Sequence, residues 1–248
     1  MRPDSTSYRT EEPFRRAVRT AVSAVAALTL LLGWFAATGS TAYAQETGVP
    51  ATAPTTAAVE VRGGDVLYSN IGTRCTVGFN ARGGSTTYGI VSGRCAQGAT
   101  TWYADSALNV VVGTSDAFPA RPELIRYTST SVAFPGEVRL GANGPMLDIT
   151  GAARPYVGQS ICHTNGGSGV HCGTVTAVNV TINFPEGIMT GVIKSNTCSE
   201  AGAAGSPAFS GSTALGIILD VNQSCSAGGS TFYQSIVDVL SKYGLSLY

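Results

Sequence analysis

The sequence has little of what nucleic-acid-binding and metal-binding proteins use. Its formal net charge is zero at neutral pH, and it contains only two lysines, Lys194 and Lys242, and two histidines, His163 and His171. A balanced charge excludes a strongly basic surface, so no nucleic-acid partner is expected. Its cysteines show no C-x-x-C spacing, which argues against a zinc site. We therefore expect neither a metal nor another cofactor.

Glycine, serine, threonine and valine are abundant, with 31 glycines alone. This composition is typical of an all-β domain with many turns. After Val59, short alternating or apolar runs are separated by glycine, asparagine and proline, and about a dozen of them have the length of a strand. So many strands predict two packed barrels rather than one sandwich. Only the end of the chain has a helical pattern, from a Ser235 cap to a Gly244 stop.

Residues 1–44 have the pattern of an export signal. A basic flank precedes the apolar run Ala21–Ala37, and the Ala-Tyr-Ala triplet at 42–44 fits a small-x-small cleavage site. The apolar run has 17 residues, near the lower limit for spanning a bilayer, so a retained membrane anchor is the alternative interpretation. The triplet favours cleavage. We therefore predict a secreted, extracellular protein.

The remaining chain divides into a flexible leader at 45–58, which lacks apolar periodicity, and a folded domain at 59–248. The domain contains all six cysteines: Cys75, Cys95, Cys162, Cys172, Cys198 and Cys225. An even number of cysteines in an exported chain predicts three disulfides. Their spacing alone leaves about 15 pairings open.

The stretch from Cys198 to Gly216 contains a turn made almost entirely of small residues. Its Gly-Ala-Ala-Gly segment at 202–205 has so little side chain that backbone N–H groups dominate the surface. Such a loop either binds an oxyanion or the main chain of a substrate, or is a tight turn behind a disulfide. A Gly-Ser-Thr-Ala-Leu-Gly segment at 211–216 follows it as a strand.

This stretch resembles the nucleophile loop of chymotrypsin-like serine proteases of the secreted bacterial streptogrisin type. In that family a cysteine and three residues precede Gly-Asp-Ser-Gly-Gly, and a Gly-Ser-Thr-Ala-Leu-Gly strand follows. The resemblance extends from about Val61 to Tyr248 and includes Cys75–Asn80 and Gly229–Gln234. It implies an all-β chymotrypsin-like (trypsin-like) fold of two six-stranded antiparallel β-barrels with a short C-terminal helix. It also implies sequential disulfides, 75–95, 162–172 and 198–225.

The same resemblance implies that all three catalytic positions are substituted. The nucleophile position holds Ala204, whose methyl group cannot attack a carbonyl. The position of the general base holds Arg94, and an arginine stays protonated near neutral pH. The carboxylate position holds Arg121, and neither Asp116 nor Glu123 nearby is a good substitute.

The resemblance also implies that the substrate-binding strand is altered here and that the oxyanion-hole backbone is kept. The substrate-binding strand, Ser-Gly-Gly in the family, corresponds here to Leu219-Asp220-Val221, and we expect these larger side chains to narrow or fill the cleft. The oxyanion-hole backbone, formed by the N–H groups of Gly202 and Ala204, is expected to survive. Main-chain donors without a nucleophile hold an anion or a carbonyl but do not cleave it.

The two arginines at the former catalytic positions would converge on the cleft beside Glu123 or Asp220. There they would either replace lost polar contacts by internal ion pairs or form an anion-binding site. His163 and His171 are candidates for a relocated base or a metal pair. Because both flank the 162–172 disulfide, far along the chain from the nucleophile loop, we expect them to be solvent-exposed loop residues.

These features predict an exported pseudoprotease, a catalytically inactive homologue with a binding or structural role. Its partner would be an unidentified protein, peptide or surface ligand, and we expect a monomer. The alternative, from family resemblance alone, is a secreted chymotrypsin-like serine endopeptidase that hydrolyses peptide bonds. A third hypothesis is a hydrolase that uses a relocated Ser206 or one of the histidines, which requires a histidine within about 10 Å of a serine hydroxyl.

Overall fold

The computed structural model describes residues 58–115, 124–164, 169–184, 187–220 and 225–248, with only the backbone described for Asp220 and Ala227. The predicted export signal and nearly all of the predicted leader lie outside the described residues. The same holds for Val221 and for the 116–123 segment, which contains Arg121. The predictions made for those residues remain predictions.

The strands, in chain order, are β1 (Val59–Glu60), β2 (Val66–Ser69), β3 (Arg74–Gly83), β4 (Thr86–Val91), β5 (Thr101–Tyr103), β6 (Val111–Ser115), β7 (Leu124–Tyr127), β8 (Val132–Ala133), β9 (Glu137–Arg139), β10 (Met146–Asp148), β11 (Gly151–Ala152), β12 (Ser160–Thr164), β13 (Val170–Phe184), β14 (Gly187–Ser195), β15 (Pro207–Ser210), β16 (Thr213–Asp220) and β17 (Thr231–Ser235). The described helices are α1 (Gly93–Ala96) and α2 (Ile236–Tyr243), and a 3₁₀ turn covers Cys225–Ala227.

Twelve of these strands form two closed sheets, while β1 with β8 and β9 with β10 form separate two-stranded sheets. Six antiparallel strands close the first barrel in the order β2-β3-β4-β7-β6-β5. In the second half of the chain β16, β15, β12, β13, β14 and β17 pair side by side, and the pairing of β16 with β17 closes them into a second ring. Strand β11 pairs with β16 in parallel as a seventh strand. The predicted fold of two six-stranded barrels is confirmed.

Alternating side chains fill the interior of each barrel. In the first barrel Trp102 is fully buried, and its indole N–H donates a hydrogen bond to the Ser115 Oγ at 2.8 Å. In the second barrel Tyr233 is fully buried among apolar neighbours. A further cluster contains Phe79 of β3 and Ile236 of α2, so it joins the first barrel to the C-terminal helix. Burying one such side chain stabilises the fold by roughly 1.5–3 kcal/mol.

The three disulfides are Cys75–Cys95, Cys162–Cys172 and Cys198–Cys225. This is the sequential pairing that the family resemblance implies. The second bond joins directly opposed residues of β12 and β13, whereas the third ties the loop that precedes β15 to the 3₁₀ turn that follows β16. Each disulfide therefore holds together chain segments near the predicted site or its supporting strands.

Helix α2 begins and ends where the sequence predicts. The Ser235 hydroxyl accepts a hydrogen bond from the backbone N–H of Asp238. At the other end Gly244 has a left-handed φ of 64°, and its N–H donates to the Leu240 carbonyl. Within the described ranges, no helix is long and apolar enough to cross a membrane.

We expect Ser235→Ala to lower the free energy of unfolding by about 1 kcal/mol, because it removes the side-chain acceptor at the helix N-cap. Urea unfolding followed by circular dichroism measures the change. The matched control is Ser241→Ala, an exposed position inside α2, where alanine should be neutral or slightly stabilising. Equal losses in the two variants would contradict a capping role for Ser235.

The expectation that only the C-terminal segment is helical is wrong at one point. Residues Gly93–Ala96 form a single helical turn, in which the backbone N–H groups of Cys95 and Ala96 donate to the Ser92 carbonyl. Four residues are too few to show an apolar period in the sequence. The disulfide to Cys75 fixes this turn beside β3.

Candidate functional site

The loop from Cys198 to Gly205 is held by its own backbone. The Ala203 N–H donates to the Glu200 carbonyl at 3.1 Å, and the Ser206 N–H donates to the Ala203 carbonyl at 2.9 Å. The Gly205 N–H donates to the Ile218 carbonyl at 2.8 Å, which ties the loop to β16. These bonds hold the backbone N–H groups between them in fixed positions.

Gly205 is the point at which this loop meets the first barrel. Its φ is +89°, and a Cβ at this position would lie 2.6 Å from the Thr76 carbonyl oxygen and 3.3 Å from the Ser92 backbone nitrogen. Only a residue without a side chain fits there. Because Ser92 precedes α1, this close approach brings the segment with Arg94 next to the loop with Ala204, as the family resemblance implies.

The backbone N–H groups of Gly202 and Ala204 differ from those of the neighbouring residues in their hydrogen bonding. Within the part of the chain that the structure describes, neither backbone N–H has a hydrogen-bond acceptor. Gly202 is exposed and Ala204 is half-buried, while Ala203 between them is only 3% exposed. Two N–H groups that are close in the chain and lack an internal acceptor are able to bind an external one.

A cavity of about 270 Å³ lies between α1, the β13–β14 hairpin and β16. We call it the Arg94 cleft. It is lined by residues of α1 and its two caps, of the β13–β14 hairpin, of β16 and of β17: Ser92, Gly93, Arg94, Gln97, Phe184, Gly187, Ile188, Met189, Leu219 and Gln234. The Arg94 guanidinium lies over the Phe184 ring, 5.2 Å from its centroid. At this distance the cation is attracted to the face of the ring.

Leu219, the first residue of the segment predicted to correspond to the family's substrate-binding strand, is 4% exposed and forms part of the wall of the Arg94 cleft. Its side chain leaves the cavity beside it open. The backbone of Asp220 pairs with Phe232. The effect predicted for Val221 falls outside the described residues.

The prediction that both histidines are solvent-exposed is wrong for His163. Its side chain is fully buried, and its Nδ1 lies 2.9 Å from the Tyr233 hydroxyl. Alternation along β12 turns His163 into the second barrel, where it is paired across the ladder with His171 of β13. Burial, and to a smaller extent the neighbouring His171, lowers the pKa of His163 to about 4.

His171 is half-buried and close in space to the loop with Ala204, although it is far from it along the chain. Its Nδ1 lies 3.4 Å from the Cys198 Sγ and 3.3 Å from the Cys225 Sγ. These three residues have the spacing of a metal site. Because the two sulfurs are bonded to each other, they are not thiolates and cannot act as zinc ligands.

The hypothesis of a relocated hydrolase meets its distance requirement but fails on access. The Tyr233 hydroxyl lies 3.0 Å from the Ser195 Oγ and 2.9 Å from the His163 Nδ1, so a serine and a histidine share one neighbour. Ser195, however, is fully buried, and so is Ser206. A substrate cannot reach either hydroxyl in this structure.

Comparison with known proteins identifies the family, although no protein-family model matches the chain. Serine protease 2 of Streptomyces fradiae is 40% identical over 176 residues, which cover 69% of this chain and all of that protein. Streptogrisin-D of Streptomyces griseus is 35% identical over 191 residues, 75% of this chain and 48% of streptogrisin-D.

Among solved structures, an alpha-lytic protease homolog named N4 is 49% identical, with a TM-score of 0.70 over 77% of this chain and all of the N4 chain. These three matches cover 69–77% of this chain. This chain belongs to the chymotrypsin-like bacterial serine protease family, of the streptogrisin type.

Proposed function

We propose that this chain is an exported member of the family that binds a ligand without cleaving it. The observation that carries the proposal is the residue at the position of the family's nucleophile. Ala204 is half-buried at the turn of the Cys198–Gly205 loop, and its methyl group has no oxygen that could attack a carbonyl. Without a covalent step, the loop retains only its backbone donors.

The residue at the general-base position supports the same proposal. Arg94 lies on α1, close to the Gly205 backbone through Ser92, but a guanidinium cannot accept a proton near neutral pH. His163 does not replace it, because that ring is buried and bonded to Tyr233. Neither histidine lies on the wall of the Arg94 cleft.

Export is supported by two features. Three disulfides are typical of proteins that fold and persist in oxidising compartments. The predicted signal at 1–44 would direct the chain there. In this proposal the protein is a secreted monomer whose partner is a peptide, a protein or a surface ligand.

Loss of proteolysis is tested by treating the purified protein with a fluorophosphonate probe and by incubating it with casein and mixed peptides. An active streptogrisin serves as the positive control. We expect neither labelling nor cleavage, because the nucleophile position lacks a hydroxyl. Stoichiometric labelling of any serine would overturn the proposal and favour a serine endopeptidase, and mapping the labelled residue would identify the nucleophile.

Ala204→Ser examines the missing base separately. We expect this variant to remain unlabelled and inactive, because a serine hydroxyl without a neighbouring base is a weak nucleophile. Its thermal unfolding confirms that it is folded. Efficient labelling of Ala204→Ser would show that a base is present beside the loop, which would contradict the assignment of Arg94 to that position.

A further inference from the structure

We infer that His171, Cys198 and Cys225 form a zinc site when the disulfide between the two cysteines is reduced. In the oxidised protein the two sulfurs are bonded to each other and cannot coordinate a metal as thiolates. A reductant of the dithiol class opens the site. The inference goes beyond the proposed function and holds whether or not the chain cleaves peptides.

The redox step is a thiol–disulfide exchange. A thiolate of the dithiol attacks one sulfur of the Cys198–Cys225 bond, which forms a mixed disulfide and releases the other cysteine as a thiol. The second thiol of the reductant then attacks the mixed disulfide and releases the remaining cysteine. The dithiol is thereby oxidised to a disulfide, and both cysteines are reduced. Zn²⁺ then displaces one proton from each thiol and binds both thiolates.

The three ligand atoms already lie near the separations found in a tetrahedral zinc site. Bond lengths of about 2.3 Å to sulfur and about 2.1 Å to an imidazole nitrogen place a nitrogen and a sulfur ligand roughly 3.6 Å apart. The His171 Nδ1 lies 3.4 Å from the Cys198 Sγ and 3.3 Å from the Cys225 Sγ. Once the disulfide is broken, only small side-chain shifts are therefore needed to surround an ion.

Other contacts hold the two cysteines in place after the bond opens. The Cys225 backbone N–H donates to the Glu200 Oε1 at 3.1 Å, which ties the 3₁₀ turn to the loop two residues after Cys198. On the other side of Cys198, the Thr197 carbonyl accepts a hydrogen bond from the Thr231 Oγ1 at 2.6 Å. Reduction therefore releases the sulfurs while the backbone that carries them stays tied.

The position and chemistry of the three residues suit zinc. All three are half-buried, so a reductant and an ion are able to reach them. His171 is held on β13 by its pairing with His163 of β12. Two thiolates and an imidazole favour Zn²⁺ over Mg²⁺ or Ca²⁺, which prefer oxygen ligands. The described residues supply three ligands, and water fills the fourth position, as in open zinc sites.

The test measures zinc binding by the purified protein in two redox states. The protein is treated with a phosphine under native conditions, freed of reductant without oxygen, and titrated with Zn²⁺ in competition with a chromophoric chelator. Alkylation and peptide mapping establish that Cys198 and Cys225 are reduced, and circular dichroism establishes that the protein is folded. We expect one Zn²⁺ per reduced chain, bound at least about a hundredfold more tightly than by the oxidised protein.

Three outcomes would overturn the inference. They are equal zinc binding in both redox states, no zinc binding by the reduced protein, and a Cys198–Cys225 bond that opens only when the protein unfolds. Titration with Co²⁺ gives a second measurement, because thiolate ligands produce a sulfur-to-metal charge-transfer band that oxygen ligands do not.

Variants separate the proposed ligands from the other thiols. His171→Gln should weaken zinc binding by the reduced protein at least about tenfold, because it removes the nitrogen ligand. The matched control combines Cys162→Ser with Cys172→Ser, which removes a neighbouring disulfide but none of the proposed ligands. This control should bind Zn²⁺ as tightly as the unmodified protein. Equal weakening in the two variants would contradict the assignment of His171 as a ligand.

Discussion

Gly205→Ala should lower the free energy of unfolding by about 2–5 kcal/mol. Two effects add. An L-residue in the left-handed region costs about 1–2 kcal/mol, and Gly205 has a φ of +89°. A methyl group would also lie 2.6 Å from the Thr76 carbonyl oxygen, and overpacking of this kind costs about 1–3 kcal/mol. The added methyl group would meet a backbone oxygen, and a rotamer change moves neither of these two atoms.

The matched control is Gly202→Ala. Gly202 has nearly the same φ, +91°, but a Cβ there meets no atom within 4 Å. We expect Gly202→Ala to lower the free energy of unfolding only by the cost of the left-handed backbone conformation, about 1–2 kcal/mol. Urea unfolding of the two variants side by side isolates the close approach between the loop and the first barrel. If both variants lost the same stability, the contact with Thr76 would have no energetic importance.

The second large effect is a loss of stability in acid that depends on His163. The pKa of His163 is lowered to about 4 in the folded protein, mainly by burial, whereas an unfolded histidine titrates near 6.5. Between these values the unfolded chain binds a proton that the folded chain does not. The contribution is therefore fully present above about pH 6.5 and is lost as the pH falls toward 4, by about 3 kcal/mol.

His163→Gln separates this effect from the titration of carboxylates, since glutamine keeps a polar group near Tyr233 but does not titrate. Unfolding free energies are measured for both proteins at pH 7 and pH 4. The protein with His163 should lose about 3 kcal/mol more than the variant over this interval. Parallel losses would show that His163 titrates in the folded protein as it does in the unfolded chain, which would contradict the effect of its burial.

Most of the fold could be predicted because it depends on patterns that lie close together in the sequence. The hairpin of β3 and β4, the cap at Ser235 and the stop at Gly244 are each encoded within a few residues. The turn α1 was missed because four residues show no period. The resemblance then supplied what local patterns leave open, the pairing of the six cysteines.

The positions of the two histidines could not be predicted from local sequence patterns. A position beside a disulfide predicted two exposed loop residues, yet His163 is fully buried on a strand between β13 and β15. Distance along the chain also separated His171 from the nucleophile loop, whereas in space it contacts the Cys198–Cys225 disulfide. No local sequence pattern predicts the burial of His163 or the position of His171, because both arise from strands paired across the second barrel.

The sequence by itself determined the chemistry that each position can offer. Ala204 has no nucleophilic atom and Arg94 accepts no proton, whatever surrounds them. Only the tertiary structure decided what these residues face: amides without an acceptor in the described chain, an apolar cavity beside Leu219, and a loop held against the first barrel at Gly205. Side-chain chemistry is local, whereas burial, pairing and access depend on segments that are distant in sequence and meet only when both barrels close.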